Sequence, residues 1–148
     1  MAKGRFASRK IMDYAEKDFV TLDENTLIAE AAKAMYERDI CTIIVTRNDS
    51  ESKTRQAVGI ITARDMIHRV VALNKGPFKI ASSEIMSAPL ITIDRDASAE
   101  DAISLMRSEK ITRLPVIDKA GGVLAVASLK SLARIAPSQK EVQDAIGA

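Results

Sequence analysis

Cysteine and histidine are almost missing from this chain. Cys41 and His68 are single occurrences, so an internal disulfide and a four-ligand Cys/His zinc site are both excluded. No serine or cysteine can be placed with a histidine and an acid as a nucleophilic triad. Tryptophan is absent, and three Phe and two Tyr are the only aromatics. The core must therefore be aliphatic, and stacking platforms for single-stranded nucleic acid are poorly supplied. No apolar run approaches the roughly 18 residues of a membrane span. Met1 to Lys10 is basic but lacks the apolar stretch of a signal peptide, so the cytoplasm is the expected compartment and no membrane partner is expected. Charge of neither sign dominates: 22 basic residues face 20 acidic ones, which implies no broad phosphate-binding surface. The six glycines form neither a phosphate loop nor a dinucleotide fingerprint.

What remains is an aliphatic globular chain. With 47% hydrophobic and 28% charged residues in 148, it is not disordered. A chain of this mass buries about two-thirds of its surface on folding, so it needs no covalent staple.

The chain also repeats itself. Laying Val20 to Thr46 over Ile91 to Ile117, a shift of 71, gives six identities in 27 positions. These are Thr21/Thr92, Asp23/Asp94, Ala31/Ala102, Met35/Met106, Ile40/Ile111 and Val45/Val116. Upstream, Ile11-Met12 answers Ile85-Met86 if a three-residue gap is allowed. Downstream, Gly59-Ile60-Ile61-Thr62 answers Ala125-Val126-Ala127-Ser128, the first loop being five residues longer. The apolar patterns follow the same order in both halves.

Each half predicts strand, helix, strand, strand, helix. In the first, Phe19 to Leu22 is a strand, and Leu27 to Arg38 is a helix with Leu27, Ile28, Ala31, Ala32 and Met35 on one stripe. Thr42 to Thr46 is a buried strand, with Cys41 packed at its start, and Arg47 to Gln56 is a polar loop. Ala57 to Ile61 is a strand and Ala63 to Leu73 a helix, with Met66, Ile67, Val70 and Val71 inward. Asn74-Lys75-Gly76-Pro77 stops it. The second half predicts Ile91 to Ile93, Ala99 to Glu109, Arg113 to Ile117, a turn at Asp118 to Gly122, Val123 to Ala127 and Leu129 to Ala136. Met12, Met35, Met66, Met86 and Met106 fit core positions. Residues 1–10 read as a basic, solvated segment, with a nucleic-acid arm (Lys3, Arg5, Arg9, Lys10) as the alternative. Residues 11–76 and 77–136 are the two repeats, and 137–148 a tail with a short helix at Gln139 to Ile146. One such unit cannot cover both faces of a three-stranded sheet, so two are expected to pack together with clefts where they meet.

This order of motifs resembles a tandem pair of cystathionine-β-synthase (CBS) domains, a Bateman module. The resemblance spans about Lys10 to Ala136 and is carried by the Ile-Met pair, Val20-Thr21-Leu22-Asp23, Gly59 to Met66, and Arg113-Leu114-Pro115-Val116-Ile117. It implies an α/β (α+β) fold of two β-α-β-β-α repeats packed sheet to sheet with pseudo-twofold symmetry. It implies a free-standing, non-enzymatic regulatory module that binds an adenosine-containing ligand between its repeats and signals to a separate effector protein. AMP, ADP or ATP lead as ligands, ahead of S-adenosylmethionine and NAD, and no cofactor is required.

The candidate site follows from Gly59 to Asp65. Gly59 lets a ligand or another chain segment approach the strand. Thr62 begins the next helix, where first-turn N–H groups attract anions and a hydroxyl can donate to phosphate. Asp65, one turn on, can accept both hydroxyls of a ribose, and Arg64 lies between them. By resemblance, Arg113 contacts phosphate, while Ile91 and Thr92 form a first-strand edge that holds adenine. Thr62-x-x-Asp65 also reads as a helix capping box, and the two readings are compatible. In the second copy Ser128 keeps the hydroxyl, but Ala125 and Ser131 replace the glycine and the acid, so that site should be weaker or empty. His68 and Arg69 read as an outer helix face. A homodimer is expected, because the outer helices are too apolar to be wholly solvated. Two other function classes stay open: an assembly module without a ligand, and nucleic-acid binding through the basic start.

Overall fold

The computed structural model describes residues 9–51 and 54–133. Lys3, Arg5 and the helix expected at Gln139 to Ile146 lie outside the described residues. The elements are β1 (Val20–Asp23), α1 (Ile28–Arg38), β2 (Thr42–Asn48), β3 (Arg55–Thr62), α2 (Ala63–Met66), α3 (Ser82–Ile85), β4 (Ile93–Asp94), α4 (Ala99–Glu109), β5 (Arg113–Ile117), β6 (Val123–Ser128) and α5 (Leu129–Ala133). Two three-stranded sheets result, in the orders β1-β2-β3 and β4-β5-β6. The α/β (α+β) class and the two β-α-β-β-α repeats are thus present.

Duplication extends to single hydrogen bonds. Leu22 pairs with Val45 as Ile93 pairs with Val116, and the second strand slips register after Val45 in one sheet and after Val116 in the other. The helices α1 and α4 end on residues of the same repeat position in the left-handed region, Asp39 (φ 52°) and Lys110 (φ 57°). Each sheet buries its own aliphatic core. Ile28, Ala31, Ile43, Val45 and Ile61 centre one, and Ala102, Met106, Leu114, Val116 and Ala127 the other.

The packing units are not the stretches 11–76 and 77–136. One unit is Phe19–Leu90, and the other joins residues 9–18 to 91–133. Unpaired N–H groups at the helix starts decide this. In α1, Ile28 N–H donates to Ile80 O (2.9 Å) and Ala29 N–H to Pro77 O (3.0 Å), so residues 77–90 belong with the first sheet. In α4, Ala99 N–H donates to Arg9 O (2.9 Å). The backbone of Arg9 and Lys10 is therefore built into the fold, while the Lys10 side chain stays exposed; the Arg9 guanidinium sits 5.9 Å from the Tyr14 ring centre.

These bonds also remove the three-residue gap. Ser82 N–H donates to Thr26 O (2.8 Å) where Ile11 N–H donates to Ala97 O (2.9 Å), the same shift of 71. Ile11 therefore stands in the place of Ser82, and Ala15 in that of Met86. Ser82 is buried because its hydroxyl donates to the Thr26 carbonyl at 2.7 Å.

Four local expectations are corrected. The strand expected at Ile91 to Ile93 is only Ile93–Asp94. Val126 spends both its backbone groups on Glu16, so opposite it Pro115 faces β4, and proline has no N–H to give there. The loop expected at Arg47 to Gln56 is strand at both ends: Arg47 pairs with Gln56 and Asn48 with Arg55. Arg47 anchors it through a two-pronged contact with Glu24 (Nε to Oε1 2.8 Å, Nη2 to Oε2 2.9 Å). Cys41 is exposed and not packed, and its carbonyl accepts from Ala63 N–H. Finally, Met66 and Val70 are buried, but Ile67 and Val71 are 59% and 71% exposed. After Met66 the helix widens into a π-helical stretch, Ile67–Val71. Its apolar stripe is wider than the surface beneath it.

Candidate functional site

Gly59, Thr62, Arg64 and Asp65 lie on the unit Phe19–Leu90; Ile91, Thr92, Arg113 and Ser128 lie on the other. In the first unit, β3 carries Gly59 toward Thr62, which ends the strand and caps α2. Thr62 N–H and Oγ1–H both donate to Asp65 Oδ2, at 2.8 and 3.1 Å. Asp65 N–H returns a bond to Thr62 Oγ1 at 3.3 Å. The capping box is thus formed, and the hydroxyl expected to serve a phosphate donates to Asp65. Two first-turn donors expected to be free for an anion are thus engaged, since Ala63 N–H also donates, to Cys41 O at 2.9 Å.

Asp65 Oδ1 is different. Its nearest charged neighbour is Arg69 Nε at 3.7 Å, an ion-pair distance too long for a hydrogen bond. The Asp65 side chain is 16% exposed, sheltered without being fully buried. A carboxylate has about four lone-pair directions; the cap uses two on Oδ2 and leaves those of Oδ1. Arg64 is exposed on the first turn.

Gly59 owes its identity to a chain segment. A Cβ there would lie 2.5 Å from Met86 Sδ, 2.9 Å from Met86 Cγ and 3.0 Å from the Ser87 carbonyl. Ser87 is held in place by exchanging two backbone bonds with Ile60 (3.1 and 2.9 Å). In the other unit Glu16 exchanges the same two bonds with Val126, and Ala125 and Ala15 occupy the places of Gly59 and Met86.

The second unit builds a neutral version of the cap. Ser128 Oγ–H donates to Ser131 Oγ at 2.9 Å and accepts from Ser131 N–H at 3.0 Å. Arg113 lies directly opposite Ser128 in the β5/β6 pair, and its Nη1 donates to the neighbouring Thr112 carbonyl at 3.1 Å. Ile91 packs against that unit's core ahead of β4 and is no strand edge, and Thr92 is half-buried beside it.

Arg69 is the residue that the sequence reading undervalued. Although exposed, it pairs with Asp65, and its Nη1 donates to Ile85 O at 2.6 Å. The signal was present: an acid and an arginine four apart on a helix face each other. His68 is exposed.

The CBS domain profile matches residues 11–72 and 82–138. The chain belongs to the CBS domain family. A CBS domain protein of Thermoplasma acidophilum superposes with a TM-score of 0.80 at 23% identity, over 93% of this chain and 74% of that one. A CBS domain pair crystallised with 5′-methylthioadenosine and S-adenosyl-L-methionine superposes with a TM-score of 0.71 at 26% identity, over 85% of this chain and 94% of that one. In sequence, the chain is 28% identical over 130 residues to an uncharacterized protein of Methanopyrus kandleri, covering 88% of this chain. It is 30% identical over 125 residues to a homoserine O-acetyltransferase of Methanohalobium evestigatum, covering 84% of this chain. The chain spans 64% of the first relative's length and 24% of the second's. Among the described residues, no helix is long and apolar enough to cross a membrane.

Proposed function

We propose that this CBS pair is a regulatory, non-catalytic module that binds an adenosine-containing ligand through Asp65. The observation that carries the reading is the Asp65 carboxylate, fixed through Oδ2 by the Thr62 cap with Oδ1 uncommitted to any hydrogen bond. A fixed anionic acceptor suits the paired hydroxyls of a ribose, and charge-assisted bonds of this kind are worth about 1.5–3 kcal/mol each. The 26%-identical pair that binds 5′-methylthioadenosine and S-adenosyl-L-methionine supports the ligand class. AMP, ADP and ATP head the candidates, with the bound state acting on a separate effector protein. In this reading Gly59 seats Met86 and Ser87, and the ligand does not occupy its open side. Arg113 and Ser128 form the weaker counterpart, which has no carboxylate. A thermal-shift panel of AMP, ADP, ATP, NAD, S-adenosylmethionine and a guanine control tests this. Ligand at 100 times its dissociation constant adds about 2.7 kcal/mol, or roughly 5–11 °C for a chain of this size. No shift with any adenosine compound at millimolar concentration refutes it.

A second reading has its own observation. Tyr36, Ile67, Val71, Leu73 and Phe78 are all more than half exposed on the unit Phe19–Leu90. Ile67 and Val71 stand one turn apart on a single helix face. Exposed apolar surface of this kind marks association, and a second copy of this chain is the partner proposed. Homodimerisation accompanies ligand binding in this account; if no ligand binds, assembly becomes the module's function.

A further inference from the structure

We infer that Arg69 is a positioning residue for the ribose acceptor: it holds Oδ1 of Asp65 in place and ties that oxygen to the segment Ile85 to Ser87. The inference rests on the adenosine reading of Asp65 and adds a residue outside the Gly59–Asp65 motif.

A carboxylate held by one oxygen can still swing the other. Both cap bonds fall on Oδ2, at 2.8 and 3.1 Å, so they leave that swing open. The neighbour that limits it is Arg69, whose Nε lies 3.7 Å from Oδ1. At that distance the guanidinium attracts the oxygen without saturating it, and both lone-pair directions stay available to incoming hydroxyls. Arg69 is itself anchored, because Nη1 donates to Ile85 O at 2.6 Å. The guanidinium is a rigid planar fork, so fixing Nη1 also fixes Nε. A lysine at this place could satisfy the carbonyl or the carboxylate, but not both in one geometry.

The anchor is firm. Ile85 is 2% exposed and ends α3, and two residues later Ser87 exchanges its two bonds with Ile60. A closed circuit therefore runs from Ile60 through Ser87, Ile85, Arg69 and Asp65 to Thr62 and back along β3. Displacing the Ile85–Ser87 segment would move Arg69, and with it the oxygen that reads the ligand. The second repeat lacks acid and arginine together: by sequence Ser131 stands for Asp65 and Ile135 for Arg69.

The test compares AMP with 2′-deoxy-AMP by titration calorimetry on the full chain, for the wild type, Arg69→Met, Arg69→Lys and Asp65→Asn. Methionine keeps an unbranched stem and removes the charged fork. Arg69→Met should weaken AMP by about tenfold, the scale of one charge-assisted contact, and 2′-deoxy-AMP, which brings one hydroxyl fewer to Oδ1, by several-fold less. Arg69→Lys should recover part of the AMP affinity. Should Arg69→Met prove unfolded, Arg69→Lys carries the same comparison, with a reduced preference for AMP expected. An unchanged AMP to 2′-deoxy-AMP ratio in the Arg69 variants, whether both affinities hold or both fall together, overturns the inference while Asp65→Asn still loses AMP. If the wild type shows no preference for AMP, or Asp65→Asn binds it normally, the reading of Asp65 fails and the inference falls with it.

Discussion

Replacing Gly59 with alanine isolates one contact that makes the two halves of this protein differ. The new Cβ would meet Met86 Sδ at 2.5 Å and Cγ at 2.9 Å, and the Ser87 carbonyl at 3.0 Å. The carbonyl is not the decisive obstacle. In the other unit Ala125 carries a real Cβ beside Glu16, whose carbonyl accepts from Val126 N–H at 2.9 Å in the same arrangement. What differs is the side chain one residue earlier, Met86 in one unit and Ala15 in the other. Overpacking of this kind costs about 1–3 kcal/mol, so Gly59→Ala should lower the melting temperature by roughly 2–12 °C for a chain of this length. Met86→Ala alone should also destabilise, because Met86 packs against the first core. The double variant recreates the Ala125 and Ala15 pair, and the clash disappears. The two changes should therefore be strongly non-additive, with a favourable coupling of about 1 kcal/mol or more, read from urea melts of all four proteins. Additivity within about 0.5 kcal/mol would refute the claim that Met86 dictates the glycine.

Two further outcomes follow from other contacts. The hydrogen bond from Arg47, the largest influence, holds the Glu24 carboxyl below the usual glutamate range, and it correspondingly raises Arg47. A carboxyl lowered on folding stabilises above its unfolded value, about 4.3, and loses that contribution as pH falls through its folded value. The melting-temperature advantage of wild type over Glu24→Gln should accordingly be present at pH 6 and shrink toward pH 3, and a gap that does not vary with pH contradicts the pairing. Ile67→Glu combined with Val71→Glu should convert a homodimer into the 16.1 kDa monomer in light scattering, without unfolding it, since both side chains are exposed; a dimer that survives both changes places the contact elsewhere.

Much of the fold was legible because it rests on apolar spacing. Val45, Ile61, Val116 and Ala127 are buried where the strand pattern put them, and the 71-residue shift between repeats recurs in the sheet registers. The failures share a different cause, since each turns on a partner that spacing does not name. Pro115 reads as an ordinary strand residue until Val126 is seen to face Glu16, and then its missing N–H shortens β4. Arg47 to Gln56 is polar on both faces, so no hydrophobic alternation marks its pairing. Ile67 and Val71 satisfy a helical stripe that their own unit does not cover. The exchange of residues 9–18 and 77–90 between units was hidden because backbone donors at the starts of α1 and α4 select those segments. At the candidate site, the Thr62–Asp65 box was readable as a motif, but the Arg69 anchor on Ile85 joins residues sixteen apart through a backbone carbonyl.

Titration calorimetry of AMP into the wild type, Asp65→Asn and Ser131→Ala asks directly whether Asp65 reads the ribose. Asparagine is preferred to alanine because Asp65 accepts two bonds from Thr62, and removing such a cap costs about 1 kcal/mol of folding by itself. The account predicts about one strong site per chain in the wild type. It predicts a fall of roughly ten- to hundredfold in Asp65→Asn, for the charge assistance lost from the ribose bonds, and wild-type binding in Ser131→Ala. Normal binding by Asp65→Asn, or loss of the site in Ser131→Ala, would contradict it.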